Sequence, residues 1–352
     1  MGLIRIFLAL SVVIWHAGGF KGWLPFNGSA CVLLFFIISG FYMALILNEK
    51  YIGPGANLVF WKNRFFRLWP AFLIATLLAI ALNPATIAGI FDRGNAFSIV
   101  ALLIPNFTMV GYEIYNLSCL DQAGNFALCA DGGPSALRDV AAVPQAWSLG
   151  LEIWFYLLAP FVVKSIGRTL LWLLAGLMFF VAARIAGLNL IWQYGSFPPV
   201  LLFFMLGVLS YHLQALIPTR HVGLYRTAGI ALLPVVLVLI AFPGVMLPVL
   251  AQPYHYKAFA LLFTLFIPAW FMWSKDKAWD RIIGETSYAI YVIHLVVIDV
   301  LIHILGRTEW LTPLAALGAL LSGLLLFAIV ERPIDRMRQR AVVEIRGKPA
   351  AA

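Results

Sequence analysis

Apolar positions along this chain fall into blocks, not into an alternating or amphipathic rhythm. Ten such blocks cover residues 3–20, 29–48, 65–83, 147–164, 168–186, 197–214, 225–243, 256–274, 286–305 and 311–330. A run of about 20 apolar residues is what an α-helix needs to cross the hydrocarbon of a bilayer. The pattern predicts an all-α polytopic membrane protein of about ten transmembrane helices, with the lipid bilayer as its first partner. The first block has no small-residue cleavage site of the secretory kind, so it is expected to be a retained helix. A further segment, 97–112, is apolar but short and carries Pro105, and is read as re-entrant or interfacial.

Composition agrees. Of 352 residues 63% are hydrophobic and only 11% charged, where soluble domains hold about 25% charged residues. The net charge of +9 is then a matter of topology, and no nucleic-acid partner is expected. With the N-terminus inside, Lys21, Arg93, Arg138, Arg184 and Arg307 lie outside, and all other lysines and arginines except Lys257 lie inside. This bias predicts that both termini are cytoplasmic. Residues 1–340 form the transmembrane domain on this reading, and 341–352 a basic tail at the inner surface. The long connection 84–146 is extracytoplasmic. Its Cys119 and Cys129 leave two readings, a disulfide or two free thiols; Cys31 reads as a packing residue.

Polar groups inside the blocks carry the chemistry. Arg5 and His16 lie eleven residues apart, about three helical turns, so they share one face about 16 Å apart along the axis. Intramembrane ionisable residues are costly and tend to be functional, but Arg5 alone also fits a snorkelling anchor and His16 an interhelical hydrogen bond. Glu152, about one and a half turns into the fourth block, is expected at the depth of His16, where a carboxylate would orient an imidazole base. Ser287, Tyr291 and His294 follow i, i+4, i+7 spacing on one face of the ninth block. Asp299 and His303 lie further along it. The stripe fits a cavity wall and a hydrogen-bonded core equally. Arg64 and Arg67, three apart at a cytoplasmic mouth, suit phosphate or mark ordinary positive-inside topology. Walker A, GxGxxG, GxSxG, CxxC and HExxH patterns are absent, and no metal is predicted.

Taken together, these pieces resemble the acyltransferase-3 family of bacterial membrane acyltransferases, of the standalone type. The carriers are Arg5 and His16, FFxxSGF at Phe35 to Phe41, and RxxRLxP at Arg64, Arg67 and Pro70. WSLxxExxFYxxxP follows at Trp147 to Pro160, SYxxYxxH at Ser287 to His294, and Glu-X-Pro at Glu331 and Pro333. The resemblance implies transfer of an acyl group, commonly acetyl, from cytoplasmic acyl-CoA to a hydroxyl on an extracytoplasmic glycan, lipid-linked sugar or other envelope molecule. The expected location is the bacterial inner membrane. Some members carry a fused SGNH hydrolase-like domain; here any finishing transferase is expected to be a separate protein. His16 is expected to act as general base or acyl carrier with Glu152, and Tyr291 and His294 as oxyanion donors. Arg5, Arg64, Arg67 and Arg332 are expected to hold the phosphates of acyl-CoA. Before this resemblance, a proton-coupled transporter fits the buried polar residues as well as an enzyme does, and a structural subunit of an envelope polysaccharide assembly system is a third reading.

Overall fold

The computed structural model describes residues 1–20, 28–128, 137–188, 192, 195–241 and 256–346. Helices dominate: α1 (Gly2–His16), α2 (Gly28–Glu49), α3 (Ala56–Leu82), α4 (Ala85–Arg93), α5 (Ala96–Thr108), α6 (Ile114–Leu117), α7 (Trp147–Val162), α8 (Ile166–Ile185), α9 (Phe197–Gln214), α10 (Val222–Ala241), α11 (Tyr256–Ser274), α12 (Ala278–Leu305), α13 (Leu311–Leu326) and α14 (Arg332–Arg346). One short hairpin, β1 (Ser118–Leu120) with β2 (Phe126–Leu128), is antiparallel. Each expected apolar block coincides with a helix. Among the described residues, seven helical segments are long and apolar enough to cross a membrane. This is an all-α polytopic membrane protein.

Two helices start earlier than the apolar blocks suggest. α3 begins at Ala56 and α12 at Ala278. The added turns carry Arg64 in α3, and Asp280 and Glu285 in α12, whose side chains line an internal cavity. A block-based reading stops at such charges; the helix does not.

α2 is the central helix: 72% of its apolar window is buried, against 17% for the peripheral α8. Small residues let its neighbours approach. A Cβ added at Gly40 would lie 1.9 Å from the Phe204 carbonyl oxygen, and one at Gly207 1.9 Å from that of Ile37. Backbone contact of this kind is how membrane helices pack without a hydrophobic drive. The same device joins α1 to α12, where a Cβ on Gly284 would meet the Gly2 Cα at 2.7 Å. Asp280 secures this junction. Its carboxylate pairs with the Met1 ammonium at 2.8 Å and accepts from the Gly2 and Leu3 amides at 2.7 and 2.9 Å. Arg5 is thereby fixed one turn along α1, beside α12.

The described residues of the connection 84–146 are folded. α5 has 13 residues and is about 20 Å long, too short to cross about 30 Å of hydrocarbon. One stripe of it, Phe97, Val100, Ile104 and Phe107, is exposed. Beneath it Asn106 is fully buried. Its amide donates to Tyr115 Oη (2.6 Å) and the Val140 carbonyl (3.1 Å), and its oxygen accepts from Tyr112 Oη (3.2 Å) and the Ala142 amide (2.9 Å). This network holds the strand of chain that leads into α7. Cys119 is disulfide-bonded, Cys129 lies outside the described residues, and Cys31 is buried.

Residue 340 lies within α14 (Arg332–Arg346). Arg338 donates to the Asn63 carbonyl at 2.7 Å, folding α14 back onto α3. Residues 347–352 lie outside the described residues.

Candidate active site

α1, α2, α3, α7 and α12 enclose a cavity of about 380 Å³. One end is basic: Arg5, Lys50, Arg64, Arg67, Lys275 and Arg281 face three carboxylates, Glu152, Asp280 and Glu285. Asp280 is neutralised by the Met1 ammonium, so the cationic excess is larger than this count. The guanidinium Nε of Arg64 is buried without a hydrogen-bond partner among the described residues, and Arg67 makes no protein hydrogen bond there either. Such groups are costly unless a ligand satisfies them.

Arg332 does not belong to this cluster. It is exposed at the start of α14 and lines no part of the cavity. Arg338, one and a half turns further on, is the α14 arginine that reaches α3. The sequence motif drew attention to residues 331–333, but the helix turns Arg332 outward.

The opposite end of the cavity closes on Phe35, Ser148 and Tyr291. Tyr291 Oη lies 2.7 Å from Ser148 Oγ and donates toward the Gln145 carbonyl at 3.0 Å. Gln145 Nε2 in turn donates to the Val292 carbonyl at 2.8 Å, tying the start of α7 to α12. One turn beyond Tyr291 on α12, His294 is fully buried.

His294 meets His16. Their rings are 5.0 Å apart between centroids, and His294 Nε2 lies 3.3 Å from His16 Nδ1. His294 Nδ1 donates to the Tyr291 carbonyl at 2.6 Å, and His16 Nδ1 to the Val12 carbonyl at 2.9 Å. A carbonyl only accepts, so each Nδ1 carries its ring's proton. His294 Nε2 is then an acceptor facing the shared Nδ1–H of His16, and His16 Nε2 is left unprotonated. His16 is itself exposed, so this free nitrogen is accessible at the far side of the wall that closes the cavity.

Glu152 is not the partner of His16. It accepts from Ser39 Oγ at 2.7 Å and Tyr156 Oη at 2.5 Å, and lines the cavity with Arg5 and Arg67. The depth estimate failed for a physical reason. Ser148, one turn before Glu152, is level with Tyr291, itself one turn below His294. Glu152 therefore sits roughly 10 Å below the histidines by helical rise. Its setting is the basic compartment, where it balances the guanidiniums. Asp299 and His303 are exposed on α12 and share no hydrogen bond with either histidine.

Sequence reasoning paired neither the two histidines nor Ser148 with Tyr291. The i, i+7 stripe of α12 pointed to Tyr291 and His294, but which helix faced them was not readable from one element.

Residues 1–332, most of the chain and every element described except α14, match the profile of the acyltransferase domain family. The chain belongs to this family. Among curated proteins, it is 27% identical over 359 residues to the acyltransferase MdmB of Streptomyces mycarofaciens, covering 89% of this chain and 82% of that protein. It is 28% identical over 172 residues to the O-acetyltransferase OatA of Staphylococcus aureus, covering 46% of this chain and 24% of OatA. The match thus spans about a quarter of OatA. No solved structure matches the chain.

Proposed function

We propose that this family member is a membrane O-acyltransferase. It moves an acyl group, acetyl in the first instance, from cytoplasmic acyl-CoA to a hydroxyl of an extracytoplasmic glycan or other envelope molecule, across the bacterial inner membrane. The observation that carries this reading is the layout of the site. A cavity with a strong cationic excess at one end runs to a thin wall, and a histidine with a free, accessible Nε2 stands just beyond it.

Each part has a chemical role. Coenzyme A carries a pyrophosphate and a phosphomonoester, and guanidiniums bind such groups in charge-assisted, bidentate fashion. Arg64 and Arg67, with Arg5 deeper in, supply those donors. The apolar lining of Val32, Phe36, Ile38 and Met43 accepts the thin pantetheine arm. From Arg281 to Tyr291 along α12 is about 15 Å, a distance that an extended pantetheine covers. The thioester then lies at the wall of Phe35, Ser148 and Tyr291.

His16 Nε2 takes the proton of the acceptor hydroxyl as its oxygen attacks the thioester carbonyl. The carbon–sulfur bond breaks, the coenzyme A thiolate leaves, and the proton held by His16 is passed on to balance it. Positive charge on His16 is shared through Nδ1–H with His294 Nε2, which fixes the ring and its tautomer. Ser148 and Tyr291 hydroxyls, at the closed end, are the nearest donors for the developing oxyanion. Transfer requires the wall to part, so hydrolysis of the donor is suppressed until an acceptor is engaged. Nε2 could equally take the acyl group as nucleophile; a labelled acyl-enzyme trapped in the absence of acceptor would favour that route.

Purified protein in sealed vesicles of known orientation tests the reading. Radiolabelled acetyl-CoA is supplied on the basic face and envelope glycan on the other. Label reaching the glycan with wild type, and lost in His16→Ala, is expected. Equal transfer by wild type and His16→Ala would refute the role assigned to that histidine.

A further inference from the structure

The Glu-X-Pro at the junction of α13 and α14 has no part in the scheme above, yet its surroundings are unusual. The helix does not run regularly from α13 into α14. It passes through a π-helical turn, Phe327–Glu331. Pro333 supplies the cause: it has no N–H for the Ile329 carbonyl, and its ring crowds that carbonyl. A π turn inserts about one extra residue, shifting every later side chain by about 100° around the axis. Such turns recur at functional sites.

The shift delivers Glu331 into a crevice behind the donor cavity. The crevice holds about 30 Å³ and is lined by Arg67, Glu285, Glu331, Asp335 and Arg338 among others. Asp335 and Arg338 are paired with each other. Glu331 Oε1 is buried and has no hydrogen-bond partner among the described residues. Arg67 and Glu285 line both the crevice and the donor cavity, so Arg67 stands in the partition between them. A crevice of about 30 Å³ has room for about two waters, so the carboxylate and the guanidinium that line it can be bridged by water.

We propose that Glu331 is a positioning residue for Arg67. Its carboxylate, turned inward by the π turn, holds the Arg67 guanidinium from behind through water in the crevice, and so aims it at the phosphates of the acyl donor. Pro333 is the element that sets this orientation. The inference rests on the donor-site reading given above.

Steady-state kinetics with acetyl-CoA tests it. Glu331→Gln is expected to raise the half-saturation for acetyl-CoA about tenfold, as for loss of a charge-assisted hydrogen bond, with kcat within about twofold. Glu331→Asp is expected to recover part of the loss. Pro333→Ala, which restores a regular turn without touching the carboxylate, is expected to reproduce the Glu331→Gln effect. On an Arg67→Ala background Glu331→Gln should add nothing further. Independent effects of Glu331→Gln and Arg67→Ala that multiply, or a fall in kcat at unchanged half-saturation, would overturn the proposal while leaving the donor site intact. Absence of any acetyl-CoA-dependent turnover or binding by wild type would instead bring down the donor-site reading, and this inference with it.

Discussion

At the basic end of the cavity, cationic groups outnumber carboxylates, and Arg64 Nε has no acceptor among the described residues. At the histidine end three of the four ring nitrogens are committed to defined partners, and one is free. The first region keeps a cationic excess; the second is preassembled. This is the division expected of a site that must capture a large charged donor reversibly and then perform proton transfer with a fixed geometry. The wall of Phe35, Ser148 and Tyr291 keeps the two apart.

The largest effect should come from the preassembled end. His16→Ala is expected to lower kcat about 10³-fold, the range of a lost general base, with the half-saturation for acetyl-CoA unchanged. His294→Ala removes the acceptor for His16 Nδ1–H without removing the base. A loss of about 10²-fold in kcat is expected, and His294→Gln, which restores an acceptor, should regain part of it. A His294→Ala enzyme with full turnover would break the dyad. At the other end, Arg64→Ala/Arg67→Ala is expected to raise the half-saturation for acetyl-CoA by about 10- to 100-fold, with kcat within a few-fold. If that variant instead loses kcat alone, the contrast between the ends is wrong.

Two smaller effects sharpen the frame around the site. Asn106→Ala leaves the Tyr112 and Tyr115 hydroxyls and the Val140 and Ala142 backbone groups short of partners. A loss of about 2 kcal/mol in unfolding free energy is expected, read from thermal unfolding in detergent. Glu113 lies in the same connection, accepts from Trp154 Nε1 at 2.6 Å, and has its pKa raised by burial. The folded state therefore holds this proton more tightly than the unfolded state. Its contribution to stability is present at low pH and lost as pH rises from the usual glutamate range through the raised value. Glu113→Gln should flatten that part of the stability profile, and an unchanged slope would show that Glu113 is not its source.

Much of this architecture is legible in the sequence. Ten apolar blocks became helices, and the segment at 97–112 became a helix too short to span. Arg5, Arg64 and Arg67, singled out by spacing on α1 and α3, do line one cavity. What was not legible was relative rotation and height between helices. Helical rise put Glu152 at the depth of His16, but the anchoring of α7 through Gln145 and Ser148 to α12 lowers Glu152 into the basic compartment. The same anchoring leaves His294 as the neighbour of His16. Arg332 and Glu331 show a further limit. A single proline two residues on widens one turn, and the residue brought inward is the glutamate, not the arginine beside it.

Equilibrium binding of acetyl-CoA to His16→Ala, set beside its rate of acyl transfer, tests most directly whether donor capture and proton transfer occupy separate compartments. The structure predicts wild-type affinity for acetyl-CoA with transfer abolished. Affinity lost in parallel with transfer would place His16 in the donor site and contradict the division.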